Sequence, residues 1–326
     1  MVVWLNKYIK SALVLLFVFS ALLAVFAVVT NSLSSLYEAN LLFFAASAAL
    51  FIASVFTWLF GWVILIKNRK TGFVHSVLIG FGCVFAALTP VQIGAEALRA
   101  IKLKELGAVP YSESIAASMV MKGIKFLLIS LLACLGFFAY FFSPSIALWV
   151  KAAMLSGLAV VLLATMLFLL PLNRKAGQKI ANSFHWLSKF LKPLNRAAGY
   201  FEKYSLQLQQ TGKKTILLVA ALAALSLALE FSAFLLAFLS AGFGIPVFSA
   251  IVLFSIVSIL ERTPFLPRGI GAVEIVGFIF LSSPSLAMGH LSSSQIGTVL
   301  ILFDIIRLVV PTIAGLLVYS LIAAKK

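Results

Sequence analysis

Charged side chains are scarce in this sequence, and acidic ones are the scarcest. Only 10% of the residues are charged and 63% are hydrophobic, with 9 Asp and Glu residues against 25 Lys and Arg residues. An ordinary soluble domain carries far more charge and less apolar side chain. This composition excludes a soluble globular domain. The net charge of +16 fits the borders of membrane spans better than a nucleic-acid interface.

The residue patterns of common catalytic and metal sites are also missing. The sequence has no Walker-type glycine loop, no Gly-x-Ser-x-Gly nucleophile elbow and no His, Cys and Asp cluster at metal-ligand spacing. Its two cysteines, Cys83 and Cys134, both lie in apolar sequence, so we expect no disulfide framework. We therefore expect no ATPase, no catalytic residue, no metal and no cofactor in this chain.

What the sequence has instead is a series of apolar runs of about 20 residues, long enough to cross a bilayer. The first follows Lys7 and Lys10 as a signal peptide would, but it lacks a clear small-residue cleavage site, so we interpret it as an uncleaved span. The predicted fold class is an all-α polytopic membrane protein with a single membrane domain over residues 1–326. The six full spans are predicted at 11–30, 41–66, 114–142, 147–171, 215–240 and 297–323.

Lysine and arginine are distributed unevenly between the connections of these spans. The connection 172–214 alone carries nine of them, and others lie beside both chain ends. By the positive-inside rule, we predict that both termini are cytoplasmic in a multi-pass protein of the cell (plasma) membrane. The connections predicted on the outer side carry no lysine or arginine: 31–40, 143–146, 241–246 and 289–296.

Two further apolar regions, 73–106 and 247–288, are interrupted in the same way. The interruptions, at 89–96 and 263–274, each read Thr-Pro, then Gly-Ala, then Glu. Such a pair at corresponding positions of two halves indicates the substrate site of a transporter. Proline removes a backbone donor and glycine lets the chain bend. The residues predicted to form the turns are Pro90, Gly94, Pro264, Pro267, Gly269 and Gly271.

Each interrupted region begins and ends on the same predicted side of the membrane. Its arms, of about 12 to 18 residues, are short for a full crossing. We therefore predict two re-entrant helical hairpins, 73–106 from the cytoplasmic side and 247–288 from the outer side. They belong to an inverted repeat of the halves 1–171 and 215–326. The alternative is that the arms cross as short, tilted helices, which gives about eight spans.

The connection 172–214 is predicted to be a cytoplasmic, basic and amphipathic linker. Over 178–210, apolar residues recur at helical spacing between lysines and arginines, which is typical of a helix on anionic inner-leaflet lipids. A plain linker between the halves is compatible with the same residues. Membrane phospholipids are the expected partners, and no nucleic acid is expected. A homodimer is compatible with the sequence, although no small-x-x-x-small stretch singles out an interface.

Ionisable residues at membrane depth are costly and are commonly functional. Guanidinium groups and half-helix N-termini favour an anion such as a phosphate, and carboxylates orient them or recognise a cationic headgroup. The residues that we predict to bind substrate lie around the two interruptions and in the last span: Glu96, Arg99, Arg262, Arg268, Glu274, Asp304 and Arg307.

Simpler interpretations of these charges stay open at this point. A spacing of three lets Glu96 pair with Arg99 within one helix, and Asp304 with Arg307. Arg307 is also placed to reach Glu274 or Glu261. Two charges outside this set are ambiguous. Lys122 either extends toward the cytoplasm or joins the site, and Glu230 is a lone carboxyl group, either protonated or involved in proton coupling.

Residues 90–100, Pro-Val-Gln-Ile-Gly-Ala-Glu-Ala-Leu-Arg-Ala, resemble the P-x-x-x-G-x-E-x-x-R stretch of the lysylphosphatidylglycerol synthase transmembrane-region family. Residues 266–274 resemble that family's later L-P-G-G-L-G-x-x-E stretch, in the same order and at the same spacing. The resemblance covers essentially the whole chain. It implies a flippase-type domain, like that of the multiple peptide resistance factor, which moves an aminoacylated phospholipid or a related lipid between leaflets.

Two departures from the family pattern limit this inference. Arg268 stands where the family often has glycine, and Ala95 stands where it often has a second glycine. Because a changed turn can change the lipid that is bound, the identity of the lipid headgroup stays open. The synthase members also carry a soluble aminoacyltransferase domain that this chain lacks, so we expect no enzyme activity. The leading prediction is a lipid flippase without its own ATPase. The alternatives are an ion-coupled transporter of a small soluble anion and a non-transporting membrane subunit of a lipid-modifying complex.

Overall fold

The regular structure of the described residues is helical, as the apolar runs of the sequence predict. Across the part of the chain that the computed structural model describes, every regular element is a helix. That part comprises residues 2–66, 70–88, 94–106, 109–142, 146, 148–170, 173–188, 202, 205–206, 209, 211–262, 267–287 and 289–324.

Seven helices precede residue 171: α1 (Val2–Val29), α2 (Leu33–Tyr37), α3 (Leu41–Leu65), α4 (Phe73–Gly82), α5 (Gly94–Glu105), α6 (Tyr111–Phe141) and α7 (Leu148–Leu169). The later helices are α8 (Arg174–Ser188), α9 (Lys213–Ser240), α10 (Val247–Leu260), α11 (Ala272–Ser282), α12 (Pro284–Ala287), α13 (Ser293–Asp304) and α14 (Val310–Ala324). Tighter 3-10 turns lie at Val84–Leu88 and Pro267–Gly269, and a π-helical turn at Ile305–Val309 joins α13 to α14.

The predicted spans coincide with helices of the structure. Four helices are long and apolar enough to cross a membrane: Leu41–Leu65, Tyr111–Phe138, Lys213–Ser240 and Ser293–Ile322. The remaining two predicted spans, 11–30 and 147–171, correspond to α1 and α7, which contain the shorter apolar segments Leu13–Val29 and Met154–Leu163. A multi-pass helical membrane protein is therefore confirmed.

Both interruptions break their helices where the sequence predicts. In the first region α4 gives way to the 3-10 turn Val84–Leu88, and α5 begins at Gly94. In the second, α10 ends at Leu260, and α11 begins at Ala272 after the 3-10 turn that opens on Pro267. The predicted turn residues Pro90 and Pro264 lie outside the described residues.

The second turn uses backbone conformations that favour glycine. Gly269 has φ +71°, and Gly271 has φ +85°. Between Pro267 and Gly269, Arg268 also has a positive φ, +47°, which a residue with a Cβ atom seldom adopts. A left-handed backbone at position 268 gives a physical reason for glycine at this position in the resembling stretch. It also means that this chain holds an arginine there at a conformational cost.

Two spans, α3 and α9, form the centre of the packing. Their close approach uses small side chains, since the Ser47 hydroxyl donates to the Ala233 carbonyl at 2.6 Å. Helix α4 packs on α14, and α10 packs on α6. The two 3-10 turns contact each other, so the two interrupted regions meet inside the bundle.

The connection before α9 begins with the helix α8. Its sequence is basic and amphipathic, and the exposed Trp186 lies on it. The predicted amphipathic stretch 178–210 therefore starts four residues earlier than expected, at Arg174. Residues 189–201, on which much of that prediction falls, lie outside the described residues.

A glycine in the last span is held against a cluster of hydroxyl groups. The Thr30 and Ser32 hydroxyls share a hydrogen bond of 2.6 Å, and the Ser32 hydroxyl donates to the Ser294 carbonyl at 3.0 Å. A Cβ atom on Gly297 would clash with both hydroxyls. These contacts fix the end of α1 to the beginning of α13.

Replacing Gly297 with alanine is therefore expected to lower the free energy of unfolding by about 1–3 kcal/mol, because the added methyl group forces these hydroxyls apart. Thermal or denaturant unfolding of the purified protein measures the loss. Gly157→Ala in α7 is the matched control, because a Cβ atom there meets nothing within 4 Å. Equal stability of the two variants would contradict the close packing at Gly297.

Candidate functional site

The ionisable side chains of the apolar region gather where the two interrupted regions meet. The cluster takes five of the nine acidic residues of the chain. We call this group the charge network. Its members are Glu96, Arg99, Lys122, Lys125, Glu230, Glu261, Arg262, Arg268, Glu274, Asp304 and Arg307.

Arg307, in the π-helical turn, is the centre of the network. Its side chain is fully buried, and three carboxyl groups surround it. Nε lies 2.6 Å from Asp304 Oδ1, Nη1 lies 3.1 Å from Glu261 Oε1, and Nη2 lies 3.5 Å from Glu274 Oε1. Both interpretations from sequence are therefore correct, because Arg307 pairs within its helix and also reaches across to Glu261 and Glu274.

Arg268 and Arg307 exchange hydrogen bonds between side chain and main chain. Arg268 Nη1 donates to the Arg307 carbonyl at 2.6 Å, and Arg307 Nη1 donates to the Arg268 carbonyl at 2.7 Å. In an α-helix the Arg307 carbonyl would accept from residue 311, which is proline and has no N–H. Pro311 therefore offers no N–H that would compete with the guanidinium of Arg268 for this carbonyl.

A second chain of ion pairs connects the spans α6, α9 and α10. Lys125 Nζ lies 2.6 Å from Glu230 Oε1, and Arg262 Nη2 lies 3.6 Å from Glu230 Oε2. Arg262 also lies 3.8 Å from Glu261, which joins this chain to Arg307. Glu230 is thus not a lone carboxyl group, because the structure gives it two cationic partners.

Glu96, Arg99 and Lys122 form a separate group of ion pairs within the network, and the first interrupted region contributes Glu96 and Arg99 to it. Lys122 Nζ lies 2.9 Å from Glu96 Oε1, and Arg99 Nη2 lies 3.5 Å from the same oxygen. The guanidinium of Arg99 also lies over the rings of Trp58 and Trp62, at 4.7 and 5.3 Å from their centroids. Lys122 therefore joins the network, and two tryptophans one helical turn apart hold Arg99 by cation–π contacts.

The N-terminus of α11 is already occupied by its own side chain. The Gly271 N–H donates to Glu274 Oε2 at 2.7 Å, so a carboxylate of the same helix caps it. The sequence predicted this half-helix end as a phosphate seat. In the conformation described, the cationic side chains are the groups on this side of the site that remain available to donate hydrogen bonds to an anion.

Several buried polar atoms of the network lack a hydrogen-bond partner. Buried polar groups are usually paired, so a cluster of exceptions requires a physical reason. Three of these atoms belong to the groups around Arg307. Among the described residues, the unpartnered network atoms are Glu96 Oε2, Arg99 Nη1, Glu274 Oε1, Asp304 Oδ2 and Arg307 Nη2.

All seven side chains predicted to bind substrate lie in this network. Glu261, Lys122, Lys125 and Glu230 complete it. The sequence signal for all of these residues was an ionisable side chain inside an apolar run. Nothing in the sequence indicated which residues on distant helices would pair with them. Trp58 and Trp62 were missed, although their spacing of four places them on one face of α3.

A family model described as the lysylphosphatidylglycerol synthase TM region matches residues 9–315. The match spans nearly the whole chain, and this protein belongs to that family of membrane proteins. No curated protein and no solved structure matches the chain.

Proposed function

We propose that this protein moves a lipid with a phosphate-containing, anionic headgroup between the two leaflets, without an ATPase of its own. The observation that carries the proposal is the charge balance of the network. It holds six cationic side chains against five carboxyl groups; five of these cations, including the partly exposed Lys122, lie in ion pairs of the described residues, and Arg268 is the sixth. A guanidinium at membrane depth without an acidic partner is costly unless an anion binds there.

Arg268 is the residue best placed to bind that anion. The ion pairs of the described residues do not include it. Its single donated bond in that part of the chain goes to a neutral carbonyl, that of Arg307. Guanidinium groups bind phosphate oxygens strongly and through two parallel donors. We assign to Arg268, together with Arg262 and Arg307, the role of holding the lipid phosphate.

The proposed architecture is a pair of opposed re-entrant hairpins in an inverted repeat. Several helix–helix contacts support it, because each contact made by a helix of the first half has an equivalent made by the corresponding helix of the second half. Helix α4 packs on the last span as α10 packs on α6, and α5 packs on α6 as α11 packs on α13. The equivalent spans α3 and α9 pack on each other, as helices beside a two-fold axis do. A site at the interface of two such halves serves both sides of the membrane.

In the proposed orientation both termini and α8 face the cytoplasm, in the plasma membrane. The basic face of α8 then meets anionic lipids of the inner leaflet, and the exposed Trp186 enters the interface beside it. The lipid acyl chains stay in the bilayer while the headgroup crosses the polar site. The role proposed for the chain is translocation, and no chemical step is assigned to it.

Leaflet exchange in liposomes tests this function. Purified protein is reconstituted with tail-labelled phosphatidylglycerol, phosphatidic acid or phosphatidylcholine, and label accessible from outside is quenched over time. We expect exchange above empty liposomes. We expect Arg268→Gly and Glu274→Gln to slow it at least about tenfold, the equivalent of about 1.4 kcal/mol. Arg268→Gly suits the left-handed backbone at this position, so it removes the guanidinium without straining the turn.

Glu105→Gln is the matched control, because Glu105 pairs with Lys102 at 3.0 Å outside the charge network. It should exchange lipid at the unaltered rate. Absence of exchange for every lipid would refute the flippase. Uptake of inorganic phosphate by the same vesicles would then identify a transporter of soluble anions, and absence of both activities would favour a non-transporting subunit.

A further inference from the structure

The three carboxyl groups around Arg307 outnumber the positive charge that they share. Asp304 and Arg307 are 0% exposed, and Glu274 is 7% exposed. Glu261 has a second cation in Arg262, at 3.8 Å. Asp304 and Glu274 have Arg307 as their common ion-pair partner among the described residues. Two full negative charges on one buried guanidinium are unfavourable in a medium of low dielectric constant.

The geometry between Asp304 and Glu274 indicates how this excess is relieved. Both carboxyl groups lie against the same guanidinium, Asp304 Oδ1 at 2.6 Å from Nε of Arg307 and Glu274 Oε1 at 3.5 Å from Nη2. Asp304 Oδ2 and Glu274 Oε1 are nevertheless buried without a donor among the described residues. Two ionised carboxylates only accept hydrogen bonds, whereas one protonated carboxyl group donates to the other. A single proton therefore provides the missing donor and removes one of the two charges.

Few other ionisable groups face this pair. The turn Pro267–Gly269 brings Arg268, whose guanidinium donates to the Arg307 carbonyl, and α9 brings Glu230, which Lys125 and Arg262 already neutralise. The helices α2, α3 and α14, which also pack on this part of the last span, contain no Asp, Glu, Lys, Arg or His residue. Helix α1 contacts α13 as well, and its two lysines lie in its first third. The charge of the pair is thus set by Arg307 and by what binds to Arg307.

We propose that Asp304 and Glu274 form a proton-binding pair, and that this proton and the anionic substrate bind together. This inference rests on the proposed function, since the substrate is the lipid phosphate assigned there. Nη2 of Arg307, which has no hydrogen-bond partner among the described residues and only the distant Glu274 as an ion-pair partner, is the atom that the phosphate engages. A proton on the pair weakens the electrostatic attraction between the carboxyl groups and Arg307, and it therefore strengthens the binding of phosphate to Arg307. By thermodynamic reciprocity, the bound phosphate favours the proton equally.

No covalent bond of the lipid changes in this cycle. One proton moves from water to a carboxyl oxygen when the phosphate binds, and it returns to water when the phosphate leaves. Transport is then coupled to the proton gradient with the lipid phosphate and the proton moving in the same direction. A gradient of protons alone should move lipid against its own gradient.

Two measurements on the whole protein test the coupling. In the first, proteoliposomes with tail-labelled phosphatidic acid receive a pH gradient. We expect label to accumulate in the leaflet on the alkaline side. In the second, short-chain phosphatidic acid is added to detergent-solubilised protein in weak buffer with a pH dye. We expect proton uptake and an affinity at least about fivefold tighter at pH 5.5 than at pH 7.5, the lower end of coupling between sites.

Asp304→Asn makes one member of the pair permanently neutral. The variant should bind phosphatidic acid with an affinity that is independent of pH, without proton uptake and without gradient-driven accumulation. Asp304→Glu should restore all three. Retained proton uptake in Asp304→Asn, or folded Asp304→Asn that no longer binds the lipid, would overturn the assignment to this pair.

The two proposals fail in different ways. Lipid exchange that is unaffected by a pH gradient in the wild-type protein would overturn the proton coupling and leave the flippase intact. Absence of lipid exchange at every pH would instead refute the proposed function itself.

Discussion

Replacing Arg307 with methionine is expected to lower the free energy of unfolding by about 3–5 kcal/mol, the usual cost of removing one partner from a buried ion pair. Methionine fills most of the volume but leaves Asp304, Glu261 and Glu274 without the cation that they share. It also removes the hydrogen bond to the Arg268 carbonyl. Thermal unfolding of the variant in detergent, beside the wild-type protein, measures the effect.

The triple variant Arg307→Met/Asp304→Asn/Glu274→Gln is the control for this prediction. It removes the two carboxylates that would be stranded, so most of the lost stability should return. A buried ion pair can often be replaced by neutral groups at little cost. If the triple variant were as unstable as Arg307→Met alone, packing rather than charge would explain the role of Arg307.

Lys125→Met is expected to have the second largest effect on stability, about 3 kcal/mol. The Lys125 side chain is 6% exposed and lies 2.6 Å from Glu230, so it joins the spans α6 and α9 at a buried position. Its loss leaves Glu230 with the more distant Arg262, at 3.6 Å. Denaturant unfolding compares this variant with the wild-type protein.

Lys122→Met is the matched control, because it changes the same residue type on the same helix less than one turn away. The Lys122 side chain is 32% exposed, and its partner Glu96 keeps Arg99 after the change. We expect a loss below about 1 kcal/mol, as for other solvated ion pairs. Equal losses for the two lysines would contradict the difference in their burial.

Hydropathy and turn residues were sufficient to predict the spans and the two interruptions. Each depends on local properties of the chain, namely the length of an apolar run and the presence of proline and glycine. The membrane also makes site residues conspicuous, since an ionisable side chain in an apolar run is costly and therefore rare. This explains why the seven predicted residues, from Glu96 to Arg307, all belong to the two groups of charged contacts that make up the network.

The partners within the network were less accessible to sequence reasoning. The pair of Lys125 with Glu230 joins residues 105 positions apart, and no local pattern connects them. The bond from Arg268 to the Arg307 carbonyl joins residues 39 positions apart, and it is visible only when the turn is seen beside the last span. The self-capping of α11 by Glu274 is local, and the spacing of Gly271 and Glu274 is that of a capping box.

The reciprocal bonds between Arg268 and Arg307 have a mechanical consequence. They fasten the turn Pro267–Gly269 to the last span through main-chain carbonyls, so these two parts form one rigid body. The turn Val84–Leu88 meets this body through apolar contacts, with Leu88 in a cluster that includes Ile270 and Leu308. Apolar surfaces slide without breaking directional bonds. Under the proposed function, we therefore expect a motion that opens the site to displace the first interrupted region, while the second stays fixed to the last span.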